Sequence, residues 1–276
     1  MNLKELQRNW NEFGKLSPFK AILASYEGYI AEFFTTGEKE IALVMEYIES
    51  LGINVPRRKS LDFGCGVGRL TQPLANYFDE VYGVDIAPSI LELANRFNHH
   101  EDKCKYYLNE TDDLKLFPDN TFDFIYSNYV LQHMEPRYSK KYIKEFLRIL
   151  VPHGLLIFQQ PSEQILSSNV TSKSSKRLIK AVTRKTLSLL GIKKKRPEGP
   201  KMEMYVIKRE DILNLLKENG AKIIDITQNK MGQTKVWLSV RYCVIKINTS
   251  IEKGSIIFGS KRPNLGVETE VEAVAT

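Results

Sequence analysis

Between Gly64 and Gly68 the chain reads Gly-Cys-Gly-Val-Gly, directly behind the apolar run Ser60-Leu61-Asp62-Phe63. Glycines admit backbone angles closed to other residues and leave no Cβ in the way of a ligand. A helix that opens from such a turn also points its free amides at whatever the turn holds. Asp85 follows seventeen positions after Gly68, where a carboxylate can accept hydrogen bonds from both hydroxyls of a ribose; it also suits a helix cap ahead of Pro88. Together these residues point to a nucleoside-containing ligand. The dinucleotide fingerprint asks for a third glycine three positions after the second, where this chain has Arg69. Asp62 would repel a pyrophosphate and suits the ammonium group of an amino acid, directly or through water.

A second candidate for chemistry is His133, in Tyr129-Val130-Leu131-Gln132-His133-Met134. A histidine titrates near neutral pH and suits proton removal; it serves equally to cap or pack a helix. The run His99-His100-Glu101-Asp102 reads as a solvated loop. Cys65, Cys104 and Cys243 show neither metal-like nor disulfide-framework spacing, so no metal is expected.

The elements that position these residues alternate. Short apolar strands are expected at 60–63, 80–85, 122–127 and 154–159, with helices at 70–78, 88–97 and 138–150 between them. A helix at 210–218 closed by Gly220 and strands at 222–226 and 236–247 follow. Strands separated by helices imply a mostly parallel sheet covered on both faces, and the last two strands suggest an antiparallel edge. Residues 1–56 read as an N-terminal helical cap, with Ile41, Val44, Met45, Ile48 and Leu51 at helical spacing. Residues 57–250 form the main domain, interrupted by a basic insertion at 162–200, and 251–276 form an extension, loose from 260.

Four segments in order, Leu61-Asp62-Phe63-Gly64-Cys65-Gly66-Val67-Gly68, Val84-Asp85, Phe117-Pro118-Asp119-Asn120-Thr121-Phe122-Asp123 and Leu150-Val151-Pro152-His153-Gly154, resemble the ordered motifs of class I S-adenosylmethionine-dependent methyltransferases. The resemblance covers residues 58–161 and, more weakly, 203–247. It implies an α/β fold: a Rossmann-like, doubly wound, mostly parallel seven-stranded sheet with an antiparallel edge strand. It also implies S-adenosyl-L-methionine as cofactor. Gly64, Cys65, Gly66 and Gly68 would hold the methionine portion with Asp62 near its ammonium, Asp85 the ribose, and Ile86 would pack on the adenine. Thr111 and Asp112 would lie at the adenine amino group, and Asn128 and Tyr129 on the methyl-donor side. His153 stands where many members carry a second glycine.

Composition bounds the remaining choices. With 42% hydrophobic and 26% charged residues among 276, the chain has the balance of a folded globular protein. Its net charge of +7 resides in one place: ten Lys or Arg against two Glu between Ser162 and Pro200 leave the rest close to neutral. Leu178, Ile179, Val182 and Leu189 can share one helical face there, so residues 173–196 suit an anionic membrane surface, an acidic substrate, or packing on the domain. No aromatic interleaves these charges to stack a base, so nucleic acid is disfavoured. The start, MNLKELQRNWN, lacks a secretion signal's apolar core, and a cytoplasmic chain is expected. The expected function is methyl transfer to an oxygen or nitrogen of a small molecule, possible acceptors including a sugar or lipid-linked compound. A non-catalytic methyltransferase-like subunit or membrane-surface adaptor, and an RNA methyltransferase, are the competing readings.

Overall fold

The computed structural model describes residues 1–23, 26–166, 199–231 and 235–247. Seven strands form one sheet in the order β3-β2-β1-β4-β5-β7-β6. They are β1 Lys59–Phe63, β2 Glu80–Asp85, β3 Cys104–Leu108, β4 Phe122–Ser127, β5 Leu150–Leu166, β6 Ala221–Met231 and β7 Lys235–Lys246. Pairings from β3 across to β5 are parallel, and β7 runs antiparallel to both β5 and β6. This is the doubly wound sheet the sequence implies. Its reversed strand lies one place in from the edge, because β6 and β7 form a hairpin whose second strand is the one that joins β5.

The helices are α1 Leu3–Leu16, α2 Pro18–Ile22, α3 Ile30–Ser50, α4 Thr71–Leu74, α5 Pro88–Arg96, α6 Pro136–Ile149 and α7 Arg209–Glu218, with one 3₁₀ turn at Leu131–His133. Local chemistry sets their ends. Asn2 and Glu5 form a reciprocal capping box at α1, prolines open α5 and α6, and Gly52 and Gly220 take left-handed φ of 67° and 70° after α3 and α7. Two elements differ from expectation. The helix expected over 70–78 is a single buried turn, α4, after which Ala75, Asn76 and Tyr77 donate to carbonyls three residues back, a tightening into 3₁₀-type turns. The strand β3 is additional to the expected set, since an exposed edge strand lacks the clean alternation that marks a half-buried one.

Two apolar layers sandwich the sheet. One face packs Leu61, Val84, Ile125, Leu156, Phe158 and Tyr242 against α6 and α7. The other packs Val81, Phe124, Tyr126, Leu155, Ile157 and Cys243 against α3 and α4, through Ile41, Val44, Met45 and Ile48. Each such side chain contributes roughly 1.5–3 kcal/mol by leaving water. β5 continues to Leu166, into the segment expected as an insertion. The rest of that insertion through residue 198, including the basic stretch 173–196, and the extension 251–276 lie outside the described residues.

Candidate active site

β1 and β4 are the neighbours at which the strand order reverses, and ligands in such sheets sit beyond the carboxyl ends at that point. Ser127 Oγ at the end of β4 donates to the Phe63 carbonyl at the end of β1 (3.1 Å). The glycine turn follows directly. Gly64, Gly66 and Gly68 have φ of 75°, 56° and 85°, the left-handed region that glycine enters without steric cost. The amides of Gly64 and Cys65 both donate to the Val84 carbonyl, at 2.7 and 3.0 Å, which fastens the turn to the end of β2. Each glycine also faces a different neighbour. A Cβ on Gly64 would strike Val130, one on Gly68 the Tyr106 hydroxyl, and one on Gly66 would lie 2.8 Å from Ile22 of α2.

Asp62 lies beneath this turn, 2% exposed, with the Thr71 hydroxyl donating to its Oδ2 at 2.7 Å. Burial pushes its carboxyl up to about 7, against the opposing pull of Thr71 and Arg69. A carboxylate so placed favours a cationic neighbour, which would restore its charge. Asp85 accepts from the Gly66 and Ala87 amides, each at 3.0 Å, and burial raises it as well. It therefore ties the turn to the start of α5, and each of its oxygens keeps a second acceptor site for a hydroxyl. Ile86 is half-buried against the α6 side of the core.

The loop after β3 is organised by Asn109, a buried residue for which the sequence offers no signal. Its amide donates to the Thr111 and Asp113 carbonyls and to the Tyr142 hydroxyl, at 3.1, 3.0 and 3.2 Å, while Thr111 Oγ1 returns a bond to Asn109 Oδ1 at 3.1 Å. Asp112, 40% exposed, pairs with Lys141 of α6 at 2.6 Å.

On the other side, α3 contributes Glu40, likewise without a signal in the sequence. Arg69 donates to its Oε2 at 2.7 Å; Tyr126 and Asn128 donate to its Oε1 at 3.0 and 2.7 Å. Gly37 lies against the Arg69 carbonyl with no room for a Cβ, and the Thr36 hydroxyl accepts from Arg69 at 3.3 Å. α3 thus clamps the exit of the glycine turn to the end of β4. Tyr129, which follows Asn128, has φ of 58° and is 41% exposed; its amide donates to Gln159 Oε1 of β5 at 3.1 Å. A left-handed non-glycine conformation costs roughly 1–2 kcal/mol, and this bond helps hold it.

His133 is 7% exposed. Its Nδ1 lies 2.9 Å from the Glu203 carbonyl, which can only accept, so Nδ1 carries the proton and Nε2 accepts from the Gln132 amide at 3.1 Å. Burial holds the ring below its ordinary value, and Trp10 of α1 meets it edge-on at 5.4 Å. Residues 203–207 cross here as a strap: Tyr205 N–H donates to the Gln132 carbonyl (2.8 Å), Ile207 N–H to the Pro161 carbonyl (3.0 Å), and Gln160 Nε2 to the Tyr205 carbonyl (3.2 Å). Above the turn, Phe19, Ile22, Tyr26, Phe33 and Phe34 of the N-terminal segment pack with Val67, Ala87 and Ile90, covering the turn and lying against the start of α5. Among the described residues no three His, Cys, Asp or Glu gather as a metal site, and no helix is long and apolar enough to cross a membrane.

Residues 61–158 match the family model described as a methyltransferase domain. The chain is 35% identical over 100 residues to a sterol 4-C-methyltransferase of Caenorhabditis elegans, covering 35% of this chain and 29% of that protein. It is 26% identical over 150 residues to a ubiquinone biosynthesis O-methyltransferase of Cereibacter sphaeroides, covering 54% of this chain and 56% of that protein. The chain thus spans little more than half, or less, of the length of these relatives. Among solved structures, magnesium protoporphyrin IX methyltransferase from Synechocystis PCC 6803, with bound S-adenosylhomocysteine, shares the fold. Its TM-score is 0.58 at 19% identity, over 88% of this chain and 99% of that one. Residues 61–158 are thus similar to a methyltransferase domain, and the strand order and the solved structure show that the surrounding sheet has the fold of such enzymes.

Proposed function

We propose that the chain transfers the methyl group of S-adenosylmethionine to a small-molecule acceptor, at oxygen or nitrogen. The observation that carries this is the buried Asp62 carboxylate beneath a left-handed glycine turn, a placement that favours an amino-acid ammonium over a pyrophosphate. When bound, the sulfonium supplies a methyl carbon open to in-line displacement. The chain's own task is alignment and exclusion of water. In this reading Asp62 holds the ammonium, the turn from Gly64 to Gly68 cradles the amino-acid portion, Asp85 receives the ribose hydroxyls, and Ile86 packs on the base. Asn109 shapes the segment at Thr111 and Asp112 that faces the base edge. Asn128 and Tyr129 line the transfer side, held by Glu40 and Gln159. As a base His133 would have to give up the Gln132 bond; its geometry favours a positioning role that fixes the strap against the donor loop. The sterol and ubiquinone-pathway relatives are named for small-molecule acceptors, which supports that acceptor class.

Isothermal titration with S-adenosylmethionine tests the donor half, and release of S-adenosylhomocysteine from fractionated small-molecule extract tests transfer. Micromolar binding that Asp85→Ala weakens at least tenfold, with release on some fraction, is expected. Absence of binding, or an Asp85→Ala variant that behaves like the parent, refutes the donor assignment. Binding without release refutes transfer.

A further inference from the structure

Arg241 of β7 stands opposite Gln159 of β5 and Thr227 of β6, level with the carboxyl ends of the parallel strands. Side chains alternate between the faces of a strand. Cys243 and Ile245 belong to the layer under α3 that also contains Tyr126 and Ile157, so Arg241 continues that row one step toward the crevice, on the face where Glu40, Asn128 and Arg69 meet. Burial raises the phenols of Tyr126 and Tyr129, Glu40 raises them further, and Arg241 with Arg69 pulls them back. The two cations differ in one respect. Arg69 is neutralised by Glu40 at 2.7 Å, whereas Arg241 is half-buried and, among the described residues, no carboxylate pairs with it. Among the described residues the cluster therefore keeps one positive charge without a carboxylate partner, on a guanidinium whose planar fork matches carboxylate and phosphate oxygens.

We propose that Arg241 is an acceptor-binding residue and that the acceptor carries a carboxylate or phosphate group, gripped at β7 while its reacting atom lies at Asn128 and Tyr129. This rests on the methyl-transfer reading above. The acidic groups nearby are committed elsewhere: Glu40 to Arg69, Tyr126 and Asn128, and Asp225 to Tyr47. Gln159 beside it already receives the Tyr129 amide, and among the described residues Arg241 is a charged group at this level with no carboxylate partner.

The full chain, saturated with S-adenosylhomocysteine, is titrated with inorganic phosphate, with benzoate and with neutral benzamide at constant ionic strength, and the unfolding midpoint is followed. The parent and a control with Lys193, Lys194, Lys195 and Arg196 all changed to Gln are expected to gain at least 2 °C with phosphate or benzoate and nothing with benzamide. The responding anion identifies the group. Arg241→Gln is expected to lose at least tenfold in apparent anion affinity with its S-adenosylhomocysteine affinity unchanged. Arg241→Lys, which keeps the charge without the fork, is expected to fall between them and serves if the Gln variant does not fold. An anion response equal in Arg241→Gln and parent, no response in the parent, or a loss confined to the four-residue control overturns the proposal. Failure of S-adenosylhomocysteine to bind the parent strikes the methyl-transfer reading instead.

Discussion

Asparagine at position 62 keeps the shape of the aspartate and its bond from Thr71 while removing a charge that burial disfavours. The folded carboxyl titrates at about 7 against an ordinary value of 3.8, and every tenfold gain in proton affinity corresponds to about 1.4 kcal/mol. The folded chain thus binds more protons than the unfolded one between pH 3.8 and about 7, so stability falls as pH rises through that window. The full penalty, on the order of 4 kcal/mol, is reached above it. Asp62→Asn has no such group. Its unfolding midpoint without ligand should match the parent's near pH 4 and exceed it at pH 8 by roughly 5 °C or more, taking about 2–4 °C per kcal/mol and partial relaxation of the site. Affinity for S-adenosylmethionine should move the other way, falling at least ~30-fold as the charge partner of the ammonium is lost. Scanning calorimetry across pH 4–8 and titration calorimetry measure the two. Titration of the parent at pH 7 in buffers of different ionisation enthalpy should also show proton release on binding, as Asp62 ionises against its new partner. A variant less stable than the parent at pH 8, or a stability difference that does not change with pH, would refute the reasoning.

Gly66→Ala places a Cβ 2.8 Å from Ile22 at φ 56°; a fall in stability of about 1–2 kcal/mol and loss of cofactor affinity, read by denaturant unfolding and titration, are expected. Glu40→Ala strips the counter-ion from buried Arg69 and an acceptor from Tyr126 and Asn128; a loss of about 3–5 kcal/mol is expected, while Arg69→Met with Glu40→Gln should recover a measurable part of it. Burial holds His133 below 6.5, so the folded chain binds fewer protons and stability declines as pH falls below that value. His133→Gln should flatten that decline and raise the acceptor KM while leaving the pH profile of kcat in place; a kcat profile that loses its acid limb restores the base.

The glycine-turn side of the crevice was legible in the sequence because its residues are local. Asp62, the three glycines and Asp85 lie within one strand-turn-helix-strand unit, and their types at that spacing already weigh against a dinucleotide. The side around Asn128 and Tyr129 was not, because its residues meet only after folding. Glu40 on an amphipathic helix looks like any solvated glutamate until α3 docks on Arg69, and Gln159 and Arg241 become neighbours only through the antiparallel pairing of β7 with β5. Asn109 and β3 were hidden for another reason: a short edge strand exposing Lys105, Tyr107 and Leu108 carries little periodic signal. His153 shows the limit of a motif read strictly, since an exposed left-handed residue at φ 63° fills the place of the family's glycine.

The hairpin that inserts β7 beside β5 also imposes an order on synthesis. The glycine turn and the residues that hold it, from α1 through Gln159, are synthesised before the strand bearing Ser239 and Arg241 exists. At usual elongation rates of roughly 5–20 residues per second, the nascent chain spends several seconds with the β5 edge unpaired and apolar. In that interval an unpaired apolar strand edge exposes the chain to mispairing, a hazard set by the order of the strands rather than by any one side chain.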